Sequence, residues 1–258
     1  MSERVDFSGN ASVYDRRHGD VISDEIARAL GRVLLAAPDS RVLDLAAGTG
    51  RVAIPLATLG HRVIAFDAAR PMLDELARKS PGVSIPRVLG DGMQLPFRDG
   101  AFDEVVIARL LYLVPDWMEL LREVRRVLAT GGRLLHEWSN GGADEAWVQI
   151  REKLRSMFEA DGVTAPFHPG VRTEDDVEAL LAELGMRRVA TKQFGGGHLM
   201  TIGDFLARLA GGECSYTWAV PKDILARRLP ELQDWAASRF DLTREVPMPR
   251  EIIWRIYA

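Results

Sequence analysis

The sequence predicts an α/β fold built on a mostly parallel sheet. Two observations carry this. Over residues 41–138, strand-like apolar runs alternate with helix-like segments through short connections, the pattern that right-handed βαβ units produce. The first of those runs, VLDLAAGTGR at 42–51, passes through a small-residue loop straight into a helix, as the ligand-binding turn of an open sheet does.

Each element follows in order. Residues 21–35 (VISDEIARALGRVLL) space Ile22, Ile26, Ala29, Leu30 and Val33 at helical intervals, so a helix precedes the glycine loop. Strands are expected at 41–45 (RVLDL), 62–66 (RVIAF), 83–89 (VSIPRVL), 102–108 (FDEVVIA) and 132–138 (GRLLHEW). Helices near 51–59, 70–79 and 115–129 fill the gaps, the last entered through Pro115-Asp116 and closed by Gly131-Gly132. Beyond residue 139 the pattern changes: 140–170 carries Trp147, Phe158 and Phe167 but no clear strand. A helix returns at 173–185, with Thr173 as N-cap, Val177, Leu180, Leu181 and Leu184 as its apolar stripe, and Gly185 as its stop. A sixth strand is expected at 187–194 and a seventh at 250–257. Between them lie three glycines at 195–197, a helix near 202–210, and another near 221–238 with a bend at Pro230.

Bulk properties narrow the function. A chain of 258 residues suits one large α/β domain with additions. The net charge of −4 argues against nucleic acid as the main partner, since polyanion binders carry a basic face. One cysteine, Cys214, excludes an intrachain disulfide and a multi-cysteine zinc site, and reads as a small packing residue. No His/Asp/Glu cluster shows metal-ligand spacing, so no metal is expected. No run reaches the length of a membrane span and the first ten residues hold no apolar signal core, so no membrane partner and a cytoplasmic location are expected.

The glycine loop does not suit phosphate. A P-loop needs a Lys-Ser/Thr pair after its second glycine, whereas Gly50 is followed by Arg51 and Val52. A dinucleotide fingerprint fits poorly too, because its first and third glycine positions are Ala46 and Ala53. Two glycines alone fit a plain strand-to-helix connection equally well. Three acidic residues add the missing information. Asp44 lies in the first strand, Asp67 at the tip of the second (VIAFDAARPML), and Asp91 just after the third (GDGMQLPF). Neighbouring strand ends would line these carboxylates along one sheet edge. Asp67 could take both hydroxyls of a ribose. Asp91 could accept from an adenine amino group, with Met93 or Leu95 over the ring.

Four stretches in order, VLDLAAGTGR, VIAFDAARPML, GDGMQLPFRDGAFDEVV and ARLLYLVPDW, cover about residues 40–139. On these the chain resembles the class I S-adenosylmethionine-dependent methyltransferases, of the small-molecule type similar to quinone-biosynthesis methyltransferases. The resemblance implies a Rossmann-like, seven-stranded, mostly parallel sheet with the last strand antiparallel, plus helical lid insertions. It implies S-adenosylmethionine as cofactor and S-adenosylhomocysteine as product. It would place Ala46, Gly48 and Gly50 beside the methionine portion, Asp44 under that turn, and Asp67, Ala68 and Met72 around the ribose. Asp91, Gly92 and Met93 would surround the adenine, and Arg109 would face the methionine end or the acceptor. Tyr14 and Arg17, in the YDRR segment, resemble residues that close over the cofactor. Ala46 departs from the usual first glycine. The implied organisation is a single domain over 1–258: a cofactor-closing segment 1–20, a cofactor-binding core 21–139, substrate-lid insertions 140–172 and 195–245, and completion of the sheet by 173–194 and 246–258.

The implied reaction is methyl transfer to a small apolar or aromatic molecule through an O, N, C or S atom. Such a displacement needs a base only when the acceptor must lose a proton. Tyr112 and His136 are the candidates, with His168 and His198 in the insertions. Trp138, Trp147, Phe158, Phe167, Tyr216 and Trp218 could offer the acceptor aromatic faces or form the insertions' own core. ARLLYLVPDW lacks the Asp/Asn-Pro-Pro-aromatic stretch of amino methylases, which disfavours DNA as substrate. Two other readings compete: a methyltransferase-like cofactor-binding protein without methyl transfer, and an NAD-dependent oxidoreductase. A monomer or homodimer is expected.

Overall fold

The computed structural model describes residues 37, 39–138, 145–163, 169–194, 198–214, 217–218, 220–248 and 252–258, without the side chains of 138, 194, 198, 247, 248 and 252. Tyr14, Arg17, the helix expected at 21–35, Phe167, His168 and Tyr216 lie outside the described residues, as do the side chains of Trp138 and His198. The chain divides into two compact units. Unit 1 takes Met1–Trp138, His168–Phe194 and Ile252–Ala258; unit 2 takes Ser139–Phe167 and Gly195–Glu251.

Unit 1 is built on a seven-stranded sheet. Its strands are β1 (Arg41–Leu45), β2 (Arg62–Asp67), β3 (Arg87–Leu89), β4 (Phe102–Ala108), β5 (Leu128–Trp138), β6 (Arg188–Phe194) and, last in the chain, β9 (Ile252–Tyr257). They lie in the order β3-β2-β1-β4-β5-β9-β6. β1 pairs in parallel with β2 and β4, β2 with β3, and β4 with β5. β9 runs antiparallel between β5 and β6, so the expected antiparallel last strand is present.

Helices cover both faces, as a sheet buried on both sides requires. On one face, α3 (Trp117–Val127) and α5 (Glu174–Glu183) pack Leu120, Leu121, Val124, Val177 and Leu181 against Leu43, Leu45, Val105, Ile107 and Leu134. On the other, the helices are α1 (Ala53–Thr58) and α2 (Arg70–Lys79). There Leu56 and Leu76 meet Val42, Ala65, Val106, Leu135 and Trp254. Alternate residues of β1 thus feed two cores, as the two-residue period of a strand dictates.

Three boundaries differ from expectation. β3 is short, Arg87–Leu89 instead of 83–89, because Pro86 has no N–H for the ladder; its carbonyl still accepts from Ala65 N. α3 stops at Val127 and β5 begins at Leu128, four residues early, with a register shift opposite Phe102/Glu104. The expected helix 51–59 is confined to Ala53–Thr58, the residues before it belonging to the turn.

Unit 2 contains three elements with no counterpart in the sequence reading. α4 (Glu145–Ala160) occupies much of the stretch left without an element, and β7 (His198–Thr201) pairs antiparallel with β8 (Glu245–Met248). α6 (Ile202–Ala210) and α7 (Lys222–Ala237) complete it, α7 continuing through Pro230. Its core joins Trp147, Ile150, Leu154 and Phe158 of α4 to Phe205, Leu206 and Leu232, with the Trp147 and Phe205 rings edge to face at 4.5 Å. Cys214 is buried there as a packing residue. Arg228 braces the far end of α4 by donating to both oxygens of Asp161, at 2.7 and 2.8 Å.

Candidate functional site

The carboxyl ends of β1, β2 and β3 lie side by side in unit 1, with Leu45 opposite Phe66 and Asp67 opposite Leu89. The loop after β1 turns through three left-handed residues, Ala46 (φ 61°), Gly48 (φ 53°) and Gly50 (φ 91°). Only glycine takes that conformation without steric cost, so Ala46 carries strain that a glycine there would avoid. At Gly50 the requirement is also spatial. A Cβ there would come within 2.7 Å of Ile54 and 2.8 Å of Leu76.

Asp67 latches this loop to β2. Its Oδ2 accepts from Gly48 N at 2.8 Å and its Oδ1 from Ala69 N at 2.8 Å, while its backbone carbonyl takes Gly90 N at 3.1 Å. Burial pushes the Asp67 carboxyl above its usual range, against the backbone N–H bonds that favour the charged form. Ala68 N–H adds a third backbone bond, so the carboxylate keeps acceptor capacity on one oxygen. Ala68 beside it is exposed, whereas Met72 is 2 % exposed and points into the core.

Asp44 sits beneath the turn, 1 % exposed. It accepts from Ala53 N, and its Oδ2 has no hydrogen-bond partner among the described residues. Burial pushes its pKa up to about 7, against the Arg51 charge and the Ala53 bond, and Asp67 adds a smaller push in the same direction. Asp91 is exposed at the end of β3, its Oδ1 accepting from Met93 N at 3.0 Å. Met93 is half-buried beside it; Leu95 is buried and belongs to the core. Gly92 is buried against Leu120, where a Cβ would approach to 3.2 Å.

These residues match, in kind, the needs of an adenosyl amino acid. Asp67 offers acceptors for vicinal hydroxyls, Asp91 an acceptor with the half-buried Met93 beside it, and the left-handed turn a side-chain-poor edge. The unpartnered Asp44 Oδ2 beneath the turn is the acceptor a bound donor would satisfy.

Residues 43–136 match the family described as methyltransferase domain. This segment belongs with the methyltransferase domains. Among curated proteins, a demethylmenaquinone methyltransferase of Streptomyces griseus is 40 % identical over 133 residues, 50 % of this chain and 56 % of the relative. One of Thermus thermophilus is 43 % identical over 112 residues, 42 % of this chain and 50 % of the relative. The chain thus spans about half the length of the curated relatives it matches. Among solved structures, magnesium protoporphyrin IX methyltransferase from Synechocystis, with bound S-adenosylhomocysteine, superposes with a TM-score of 0.56 at 18 % identity. The match covers 73 % of this chain and 90 % of that one. At that identity the likeness concerns the fold, a Rossmann-like methyltransferase fold.

The two base candidates occupy different settings in unit 1. Tyr112 lies in the single turn Leu111–Leu113 after β4 and is partly exposed; its carbonyl accepts from Gly170 N at 2.9 Å. His136 is 1 % exposed in β5, its Nδ1 3.4 Å from Glu174 Oε1. Glu174 also accepts from the Tyr257 hydroxyl at 2.6 Å and faces Arg255. Burial pushes the Glu174 carboxyl up, but His136, Tyr257 and Arg255 outweigh it and hold it below the usual range. His136 therefore belongs to a buried cluster and not to a solvent-facing edge. Among the described residues no group of three His, Cys, Asp or Glu could hold a metal ion. No helix among them is long and apolar enough to cross a membrane.

Sequence reasoning missed two sets of residues. Arg126 of α3 staples the loop after β3, donating to the carbonyls of Leu95 (2.9 Å) and Phe97 (2.7 Å) while paired with Glu123 and Asp99. Its bond holds the Glu123 carboxyl below its usual range, and Glu123 in turn accepts from Leu95 N at 2.8 Å. The second is Glu137, in β5. It pairs with Arg51 and faces Arg109, itself left-handed at φ 58°. The one signal was an acidic residue inside an apolar strand run, which burial obliges to find a cation.

Proposed function

We propose that this chain binds S-adenosylmethionine along the carboxyl ends of β1, β2 and β3 and transfers its methyl group to a small aromatic molecule of quinol type. The observation that carries the reading is the Asp67 latch: a carboxylate at the tip of β2 tied to the left-handed loop after β1, in the segment that matches methyltransferase domains. The names of the curated relatives support a quinol-type ring as acceptor.

When bound, the cofactor supplies an electrophilic methyl carbon on a sulfonium that leaves without a proton donor. The chain's own work is then positioning and exclusion of water. Ala46, Gly48 and Gly50 border the amino-acid portion; Asp67 accepts the ribose hydroxyls, with Ala68 in the turn before α2 and Met72 in its first turn. Asp91, Gly92 and Met93 hold the adenine, and Arg109 lies towards the amino-acid end. Tyr112 is the side chain proposed to orient the acceptor or take its proton, because it is the partly exposed candidate of the two. Tyr14 and Arg17 are proposed to close over the cofactor. The same reading makes the protein cytoplasmic, a monomer or homodimer, and without a nucleic-acid partner.

Calorimetry with S-adenosylmethionine, S-adenosylhomocysteine and NAD tests the cofactor. Micromolar binding of the adenosyl sulfur compounds and none of NAD is expected. Binding of NAD alone, or of none, would sink the reading. A panel of quinols and phenols then tests transfer; bound cofactor without product across the panel would favour the inactive cofactor-binding alternative.

A further inference from the structure

We infer that Arg51, held in place by the buried carboxylate of Glu137, is the contact for the amino-acid carboxylate of the adenosyl ligand at the glycine loop. The inference rests on the cofactor reading above and adds residues that reading does not use.

The charge inventory around the loop motivates it. An adenosyl amino acid brings an ammonium and a carboxylate. Asp44 and Asp67 border the loop, and a carboxylate needs the opposite sign. Basic side chains lie near the loop. Lys79 Nζ lies 3.3 Å from Thr49 Oγ1. Arg51 immediately follows Gly50, and Arg109 follows β4.

Glu137 ties both arginines together. Its side chain is 0 % exposed; Arg51 Nη2 donates to its Oε2, Arg109 Nε lies 4.0 Å from its Oε1, and Arg109 N donates to its backbone carbonyl at 3.4 Å. The Arg51 side chain keeps 12 % of its surface while its Nη2 is fixed on Glu137. Asp44 lies close enough to Arg51 for the two charges to interact. A guanidinium held through one nitrogen has further donors in its fork, which suit a second carboxylate.

A purely structural role explains the pair less well. Burying a charge pair in a strand end gains little over packed apolar side chains. Glu137 Oε1 is moreover left without a hydrogen-bond partner among the described residues. What the pair does achieve is a fixed orientation of the guanidinium.

The test compares two ligands that differ in the carboxylate: S-adenosylhomocysteine, and 5′-methylthioadenosine, which lacks the amino-acid end. Removing Arg51 alone would strand a buried carboxylate, so the main variant is the double change Arg51→Met with Glu137→Leu, read against Glu137→Leu alone, which takes the same carboxylate from Arg109. We expect the double variant to bind methylthioadenosine within about twofold of native and S-adenosylhomocysteine about tenfold more weakly, the loss of one charge-assisted contact. Glu137→Gln should move the ratio in the same direction, and Glu137→Asp should recover part of it. Equal losses for both ligands, or an unchanged ratio in the double variant, overturn the assignment of Arg51. A native ratio in Glu137→Gln overturns the role of Glu137. Native protein that binds neither ligand overturns the cofactor reading and this inference with it.

Discussion

Replacing Asp44 by Asn should flatten the pH dependence of stability between pH 5 and pH 8. Asp44 is buried beneath the turn with Oδ2 unpartnered, and its pKa is raised from the usual 3.8 to about 7. An unfolded chain has this group near 3.9. Between those values the folded state binds more protons than the unfolded one, so the native protein loses stability as pH rises through the window. At about 1.36 kcal/mol per pH unit, the loss from this one group is about 2–3 kcal/mol between pH 5 and pH 8. The groups facing Asp44 are Arg51 and the Ala53 N–H, which favour the carboxylate, and Asp67, which disfavours it; all three remain in the variant. Urea unfolding of both proteins at pH 5, 6, 7 and 8 gives the difference directly. That difference should move in favour of the asparagine variant by about 2–3 kcal/mol over the series. The amide's own unmet donors shift the intercept but not the slope. A difference that stays flat with pH would refute the argument, because it would mean Asp44 is ionised throughout in the folded protein.

Asp67→Ala should weaken S-adenosylhomocysteine binding by about 1.5–3 kcal/mol, the worth of bonds to a charged acceptor, and unchanged affinity by calorimetry would remove Asp67 from the site. Gly50→Ala combines a left-handed residue with contacts at 2.7 and 2.8 Å, so a loss of about 2–4 kcal/mol is expected in chemical denaturation, and a native midpoint would contradict the geometry. Ala46→Gly relieves about 1–2 kcal/mol of left-handed strain, offset by about 0.4–1 kcal/mol through a freer unfolded chain. Its stability should therefore stay level or rise slightly, and a clear loss would show that the Ala46 methyl is packed and not strained. Arg126→Ala frees the Leu95 and Phe97 carbonyls and should lower the melting temperature and raise amide exchange across 91–99. Protection there at the native level would show that the loop does not depend on Arg126.

The sheet of unit 1 was legible because its signals are local. β1, β2 and β4 are buried on both faces, so each reads as a mainly apolar run, interrupted by Asp44 in β1 and by Asp103 and Glu104 in β4. β3 was misjudged where Pro86 cuts a run that looks continuous by hydropathy alone. In unit 2 the signals were weaker for physical reasons. α4 buries Trp147, Ile150, Leu154, Met157 and Phe158, a regular helical stripe; its aromatics fitted a ligand surface or the insertion's own core equally from sequence, and Trp147 and Phe158 pack that core. β7 and β8 are short strands far apart in the chain, Thr201 pairing with Glu245; a strand that short has too few alternations to announce itself, and its partner is fixed only by tertiary pairing.

The site divides along the same line. Asp67 and the left-handed loop could be read because they sit at fixed offsets from a strand, which is a local property of the chain. Glu137, Arg51 and Arg109 come from the end of β5, the turn after β1 and the end of β4, and nothing in their spacing joins them. What could have been argued in advance is narrower: a buried strand that contains Glu137 must supply a cation, and the parallel order β1-β4-β5 limits the candidates to residues just beyond neighbouring strand ends. Among the described residues, Arg51 and Arg109 meet that condition on the edge where β5 ends. The sheet order thus converts an unreadable long-range contact into a short choice, and the same reasoning would assign the partner of any charged residue near the end of a buried parallel strand.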